Sequence, residues 1–275
     1  MTKAHQLPQL TLLERIVLAL HADERVRAAF LRGSFYAGRP DAYSDLDVFA
    51  VVEPSAVEAF RKQGRAMLAA AGQVLWVSEV TITPPHLRAL FSGPVQVDLF
   101  VATPETLPPY SGWRILFDRD DLLKAPAPAA LHDLLQPEHV TALCDMFWWN
   151  MFASVGQLKR GHLWMALHLL DLCRAGLAQM MRWRRDSKHP FEHFVDLERH
   201  LTAEDQQALA QTLAGYDSRA IATALLCAAD AFDPAAREVA ARTGAGYPAE
   251  LAQATKQFFL REFWALIAPG PAISA

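Results

Sequence analysis

Residues 31–52, LRGSFYAGRPDAYSDLDVFAVV, place two aspartates at the start of an apolar strand. On a β-strand, residues two apart point to the same side, so the side chains of Asp45 and Asp47 project together. Like charges at that spacing raise each other's pKa and cost stability unless a cation lies between them. Carboxylate oxygens are the ligands that Mg²⁺ prefers, shared with substrate phosphates. We therefore predict that the pair binds a metal ion.

The same stretch begins with Gly33 and Ser34, at the end of a short apolar strand predicted for Val26–Leu31. A glycine lets the backbone approach a phosphate closely, because it has no Cβ. Ser34, at a predicted helix N-terminus, offers a hydroxyl and free N–H groups. This pair is suited to binding phosphate.

A third carboxylate would complete a site for two metal ions. Asp98 in VQVDLFV is the best candidate, because an unpaired charge between such apolar neighbours is costly to bury. An aspartate that caps a turn at a strand edge is the alternative interpretation of Asp98. Glu79 in WVSEVTI, on a neighbouring predicted strand, is the competing candidate for the third carboxylate.

Composition narrows the class of protein. The chain has 275 residues, enough for two domains, and its 52% hydrophobic and 20% charged residues are typical of a globular protein. A net charge of −4 argues against a nucleic-acid-binding protein, which would normally be basic. Charged residues and prolines interrupt the N-terminal apolar run, and no stretch is long enough to span a membrane, so a cytoplasmic location is expected. The three cysteines fall within apolar helical patterns and are predicted to be buried free thiols.

Two types of pattern divide the chain. Helix and strand signals alternate over the first 120 residues, and from Pro137 onward the apolar residues follow helical spacing. The Pro/Ala-rich KAPAPAALHDLLQP at 124–137 separates them, so we expect domains at 1–123 and 137–268. The predicted strands are 26–31, 46–52, 74–80, 95–101 and a short one in RILFDRDD; the predicted helices include 10–21, 54–71, 218–231 and 234–242.

Gly-Ser, followed eleven positions later by Asp-x-Asp and then by a distant strand aspartate, resembles the DNA polymerase beta nucleotidyltransferase superfamily. The resemblance extends to the antibiotic nucleotidyltransferases, especially the aminoglycoside 6-adenylyltransferase and lincosamide groups. The similar segments are residues 31–52, RILFDRDDLL, FWWNMFASVGQLKRGHLWMALHLLD and GYPAELAQATKQFFLREF. The resemblance implies an α+β fold, in which an N-terminal polymerase beta-like catalytic domain with a mixed sheet precedes a C-terminal helical bundle that binds the acceptor.

The resemblance also implies an activity. A nucleoside monophosphate would move from a nucleoside triphosphate, ATP first, to a hydroxyl of a small molecule such as an aminoglycoside or lincosamide, with release of pyrophosphate. Gly33 and Ser34 would hold the triphosphate, and Asp45 and Asp47 would hold Mg²⁺, expected as two ions. Asp98 would bind metal or deprotonate the acceptor.

The helical half offers further candidates. Lys159, near the end of a predicted helix, could reach the triphosphate or could simply be favoured there by the helix dipole. The kanamycin nucleotidyltransferase group, which this chain resembles less, supplies a glutamate base from this region. The sequence shows no clear equivalent: Asp145 lies one turn off the apolar stripe, and a solvated surface position also explains it. Arg184 and His189 have a spacing similar to the HEPN ribonuclease motif, which helix-end basicity also explains.

A second hypothesis belongs to another class. The chain could be a regulatory or toxin–antitoxin-type module whose nucleotidyltransferase fold modifies or binds a protein partner. Neither hypothesis requires a nucleic acid or a membrane. The aromatic bundle leaves apolar surface that would allow a homodimer without requiring one.

Overall fold

The computed structural model describes residues 7–81, 86–107, 112–123, 135–185, 194 and 196–267. The chain divides into two compact units, Met1–Leu131 and His132–Ala275. The first unit holds all the strands of the described residues, and the second is helical. None of the described helices is both long and apolar enough to cross a bilayer.

A six-stranded mixed sheet forms the first unit. The strand bounds are Val26–Leu31 for β1, Leu46–Val52 for β2, Val74–Val80 for β3, His86–Phe91 for β4, Val95–Ala102 for β5 and Arg114–Asp118 for β6. The order of the strands in the sheet is β3-β4-β5-β2-β1-β6. The central strands β2 and β5 run parallel, and all other neighbouring strands pair antiparallel.

Apolar side chains cover the two faces of this sheet differently. Helices α1 (Pro8–Ala22) and α3 (Val57–Ala71) pack on one face through apolar residues such as Ile16, Leu20 and Phe60. The other face carries a smaller cluster built from Phe30, Phe49 and the segment after β6. Because β2 is buried on both faces, its sequence LDVFAVV is nearly continuous in apolar residues after the aspartate.

The second unit packs long helices around a core of aromatic, aliphatic and alanine side chains. Phe147 and Phe232 stack with their ring centroids 3.7 Å apart at its centre. Of the three free cysteines, Cys144 and Cys173 are buried as predicted, whereas Cys227 is partly exposed. The helices of the described residues are α4 Pro137–Lys159, α5 Leu163–Arg185, α6 Leu197–His200, α7 Ala203–Ala210, α8 Ser218–Thr243 and α9 Ala249–Ile267, and the first unit also holds the single-turn α2, Gly33–Tyr36.

Two sequence-based assignments were wrong. The five predicted strands omitted β4, which contains only six residues and alternates buried Leu87 and Ala89 with the polar His86 and Arg88. The helices predicted at 218–231 and 234–242 are one helix, α8, with Pro234 inside it. A proline removes one backbone donor, but the apolar face of α8 continues on both sides of it and packs in the core, which keeps the helix intact.

Candidate active site

The turn after β1 brings backbone close to a carboxylate. The amide of Arg32 donates to the carbonyl oxygen of Asp47 at 3.0 Å, which fixes the start of the turn to β2. Gly33 has a φ of +63°, and a Cβ at this position would overlap Oδ2 of Asp47. Only glycine fits here, for its conformation and for its size. The next residue, Ser34, has a buried hydroxyl without a hydrogen-bond partner among the described residues.

The strand register aligns the charged side chains in a row. Asp47 on β2 is the register partner of Asp98 on β5, and Asp98 is the partner of Arg88 on β4. Asp45 immediately precedes β2. One carboxylate oxygen from each of Asp45, Asp47 and Asp98 lies within 4.8 Å of the other two. The structure therefore brings the three predicted aspartates together.

The other candidates lie elsewhere or have partners of their own. Glu79 is on the edge strand β3, where it forms an ion pair with Arg61, and it is not part of the aspartate cluster. Lys159 ends α4 in the second unit, with its Nζ 3.2 Å from Oε2 of Glu262. Asp145 is exposed on α4. His189, proposed with Arg184 as a HEPN-like pair, lies outside the described residues.

The three aspartates of the cluster carry more negative charge than the neighbouring arginines neutralise. Burial, followed by the charges of Asp45 and then Asp98, raises the pKa of Asp47 to about 7. The positive charges of Arg32 and Arg88 act in the opposite direction without cancelling this effect. Burial and then the charge of Asp98 also raise the pKa of Asp45. After burial, mutual repulsion of the carboxylates is therefore the second cause of the raised pKa values, and a cation between the carboxylates would relieve it.

Arg88 is a site residue that sequence reasoning missed. Its guanidinium donates to both oxygens of Asp98, from Nε to Oδ1 at 2.8 Å and from Nη2 to Oδ2 at 2.7 Å. Gln96 adds a third donor at 3.3 Å, and His86 Nε2 lies 3.7 Å from the same oxygen. The available signal was the alternation of HLRALF between Pro85 and Gly93, which would have placed His86 and Arg88 on one face of a strand.

A row of aromatic rings lies beside the charged side chains of Asp47, Asp98 and Arg88. Each ring lies two residues along its strand from a charged residue, and so on the same face of the sheet. The centroids of Phe30 and Phe49 are 4.7 Å apart, those of Phe49 and Phe100 are 4.3 Å apart, and the His86 ring lies 4.5 Å from Phe100. The aromatic rings therefore border the carboxylates on the same face of the sheet.

The residues present fit a divalent cation and a phosphate group. The three aspartates form a cluster with oxygen donors only, the preferred environment of Mg²⁺. The orphan hydroxyl of Ser34 leaves polar capacity in the turn, and the absence of a Cβ at Gly33 lets the turn backbone approach the carboxylate of Asp47 closely. A cation bound by the aspartates would also relieve the repulsion that raises the pKa of Asp47.

The protein is an enzyme of the nucleotidyltransferase class. Its mixed sheet carries a glycine–serine turn that leads to the cluster of aspartates. More specifically, the family model described as streptomycin adenylyltransferase matches residues 9–261, and the chain belongs to that family. The chain is therefore a nucleotidyltransferase of the antibiotic-resistance type, as its sequence motifs predicted.

The chain also resembles a solved structure. The crystal structure of an aminoglycoside 6-adenyltransferase from Bacillus subtilis is 16% identical in sequence, and the match has a TM-score of 0.46. It covers 92% of this chain and 97% of the other. No curated protein sequence is significantly similar to the chain.

Proposed function

We propose that this enzyme uses Mg²⁺ to transfer a nucleoside monophosphate from a nucleoside triphosphate, with ATP as the first candidate, to a hydroxyl of a small molecule. Pyrophosphate is the second product. The observation that carries the proposal is the cluster of Asp45, Asp47 and Asp98, whose oxygens lie within 4.8 Å of one another. Three carboxylates face two arginines, Arg32 and Arg88, so the cluster favours an added cation.

Each candidate site residue of the first unit has a role in this reaction. Asp45, Asp47 and Asp98 would hold the metal ions, which would supply positive charge to the transferring phosphoryl group. Gly33 and Ser34 bind the triphosphate, with the free Oγ of Ser34 as a donor. Transfer then depends on in-line positioning and on electrostatic stabilisation of the transferring group.

The second unit supplies the acceptor site in this proposal. We assign acceptor binding to residues 137–268, and we retain Lys159 as a triphosphate-binding residue. For Lys159 to act in this way, its contact with Glu262 must exchange for a phosphate. The family description names streptomycin, so an aminoglycoside is the first acceptor to try, and a lincosamide is the second.

The test is a transfer assay with α-labelled ATP, streptomycin and Mg²⁺, followed by separation of the products. The expected result is one labelled acceptor molecule for each pyrophosphate released, and no product in EDTA. Asp45→Asn should abolish transfer. Asp120→Asn, which alters an exposed aspartate paired with Arg27, is the matched control and should retain it.

Two outcomes would contradict the proposal. One is the absence of transfer from ATP, GTP, CTP and UTP to every member of an aminoglycoside and lincosamide panel. The other is label that appears on a protein and not on a small molecule, which would favour a module that modifies a protein partner.

A further inference from the structure

Arg88 and Asp98 form a two-pronged contact across neighbouring strands. They are direct partners in the antiparallel register of β4 and β5, so both side chains leave the same face of the sheet side by side. The two N–H···O distances of 2.8 and 2.7 Å are those of a fork-to-fork pair between a guanidinium and a carboxylate. Such a pair fixes the plane of the carboxylate as well as its position.

The two partners differ in exposure. The side chain of Asp98 is 5% exposed, whereas that of Arg88 is 41% exposed. The carboxylate is thus held inside the site, and the guanidinium lies at its edge. Its charge acts on the whole cluster, because it also opposes the raised pKa of Asp45 and Asp47.

Arg88 does not use all of the binding capacity of Asp98. An ionised carboxylate offers about four lone-pair positions. Arg88 uses two of them, and the weaker contact from Gln96 uses a third. Asp98 can therefore bind a metal ion while Arg88 holds it, and the guanidinium and the metal would then be like charges on one carboxylate.

We propose that Arg88 is a positioning residue of the active site, where it fixes Asp98 for catalysis and, through its own positive charge, weakens the binding of a divalent cation by the aspartate cluster. This inference rests on the proposed function, since it assumes that the cluster binds metal. It predicts opposite effects of removing Arg88. Metal binding becomes tighter because a repelling charge is lost, and turnover becomes slower because Asp98 loses its orientation.

The first experiment measures Mn²⁺ binding by electron paramagnetic resonance in the absence of nucleotide, so that it does not depend on activity. Arg88→Met is expected to bind Mn²⁺ about tenfold more tightly than the wild type, through the loss of one nearby charge. Arg88→Lys keeps the charge and should bind within about twofold of the wild type. The melting temperature of each variant shows whether it is folded, and Arg88→Lys keeps the test valid should Arg88→Met unfold.

The matched control is Arg27→Met. Arg27 forms the same two-pronged pair with Asp120, with both distances at 2.6 Å, but at the end of β1 that pairs with Val52, away from Asp47. Its removal should leave Mn²⁺ affinity unchanged.

The second experiment measures turnover with saturating substrates. Arg88→Met should lower kcat about 100-fold, and Arg88→Lys should lower it less but clearly, because an ammonium cannot replace the fork. A general structural defect would weaken Mn²⁺ binding and turnover together, so the opposite directions identify the positioning role.

Four results would overturn the inference. Mn²⁺ affinity in Arg88→Met that is unchanged or weaker would exclude the charge effect, and an unchanged kcat would exclude the positioning role. Arg88→Lys that gains affinity as Arg88→Met does would also contradict it, since the charge is still present. A wild type that binds no Mn²⁺ would refute the metal site of the proposed function and this inference with it, which separates the two failures.

Discussion

The aspartates of the sheet and those of the helical bundle are in opposite electrostatic situations. In the bundle, Asp233 accepts from the Tyr247 hydroxyl at 2.6 Å and from Arg237 Nε at 2.7 Å, with Lys256 at 3.4 Å. Burial would raise the pKa of Asp233, but these partners outweigh it and the pKa is lowered. In the sheet, burial and neighbouring carboxylates raise the pKa of Asp47 to about 7.

The two regions differ in the number of cationic partners that each carboxylate has. Asp233 has two cations of its own, and Asp205 likewise has Arg184 and Arg185, so these carboxylates are satisfied within the bundle. The aspartate cluster of the sheet has excess negative charge, which a cation from solution would neutralise in the proposed function. Carboxylates with excess partners tie helices together, whereas carboxylates with too few are suited to binding a ligand.

The largest expected effect comes from neutralising the cluster. Asp45→Asn/Asp47→Asn should lower nucleotide transfer by about 10³-fold or more, because the metal is no longer held. In EDTA, the free energy of unfolding should stay equal or rise, because a repulsion is removed. Chemical denaturation and the transfer assay measure the two quantities. A double variant that unfolds would show that the carboxylates are structural, as those of the bundle are.

Gly33 and Gly38 separate steric contact from backbone conformation. Both have positive φ, but a Cβ at Gly33 would overlap Asp47, whereas a Cβ at Gly38 would meet nothing within 4 Å. Alanine at either position should cost about 1–2 kcal/mol for the left-handed conformation. Gly33→Ala should in addition lower transfer about 100-fold by displacing Asp47, and Gly38→Ala should not. Equal transfer rates in the two variants would show that the close approach at Gly33 does not matter.

Whether a contact of this site could be predicted from the sequence depends on how far apart its residues lie along the chain. The pairing of Asp45 with Asp47 follows from strand periodicity alone, and the apolar run of β2 made that strand clear. Arg88 could not be assigned, because its contact with Asp98 exists only once β4 is recognised and its register with β5 is known. Among the partners of Asp233, Arg237 lies four residues further along the same helix, a spacing that predicts an ion pair, whereas Tyr247 and Lys256 come from separate segments that no local pattern connects to Asp233.

In the bundle, neutralising a paired aspartate is expected to lower stability without a loss of metal binding. Asp233→Asn keeps the shape of the side chain but removes the charge that Arg237 and Lys256 contact. The free energy of unfolding should fall by about 2 kcal/mol, the size of a charged hydrogen-bond network that is partly exposed. Thermal denaturation measures the loss, and Mn²⁺ affinity should be unchanged. A neutral or stabilising effect would show that these contacts are not needed.

The remaining effect is the pH dependence of stability. Asp47 holds its proton more tightly in the folded protein, with a pKa of about 7, than at its usual value of 3.8. Between about pH 4 and pH 7 the metal-free folded state therefore binds more protons, and the free energy of unfolding falls as pH rises through this window. Asp47→Asn should lack this part of the slope. Denaturation in EDTA across the window measures it, and identical slopes for the two proteins would contradict the assignment.

Calorimetric titration of ATP, with and without Mg²⁺, tests most directly whether the sheet aspartates obtain their cation from solution. The wild type is expected to bind ATP only with Mg²⁺, and Asp45→Asn/Asp47→Asn is expected to lose this binding. Binding of equal strength in Mg²⁺ and in EDTA, or binding that survives in the double variant, would contradict it.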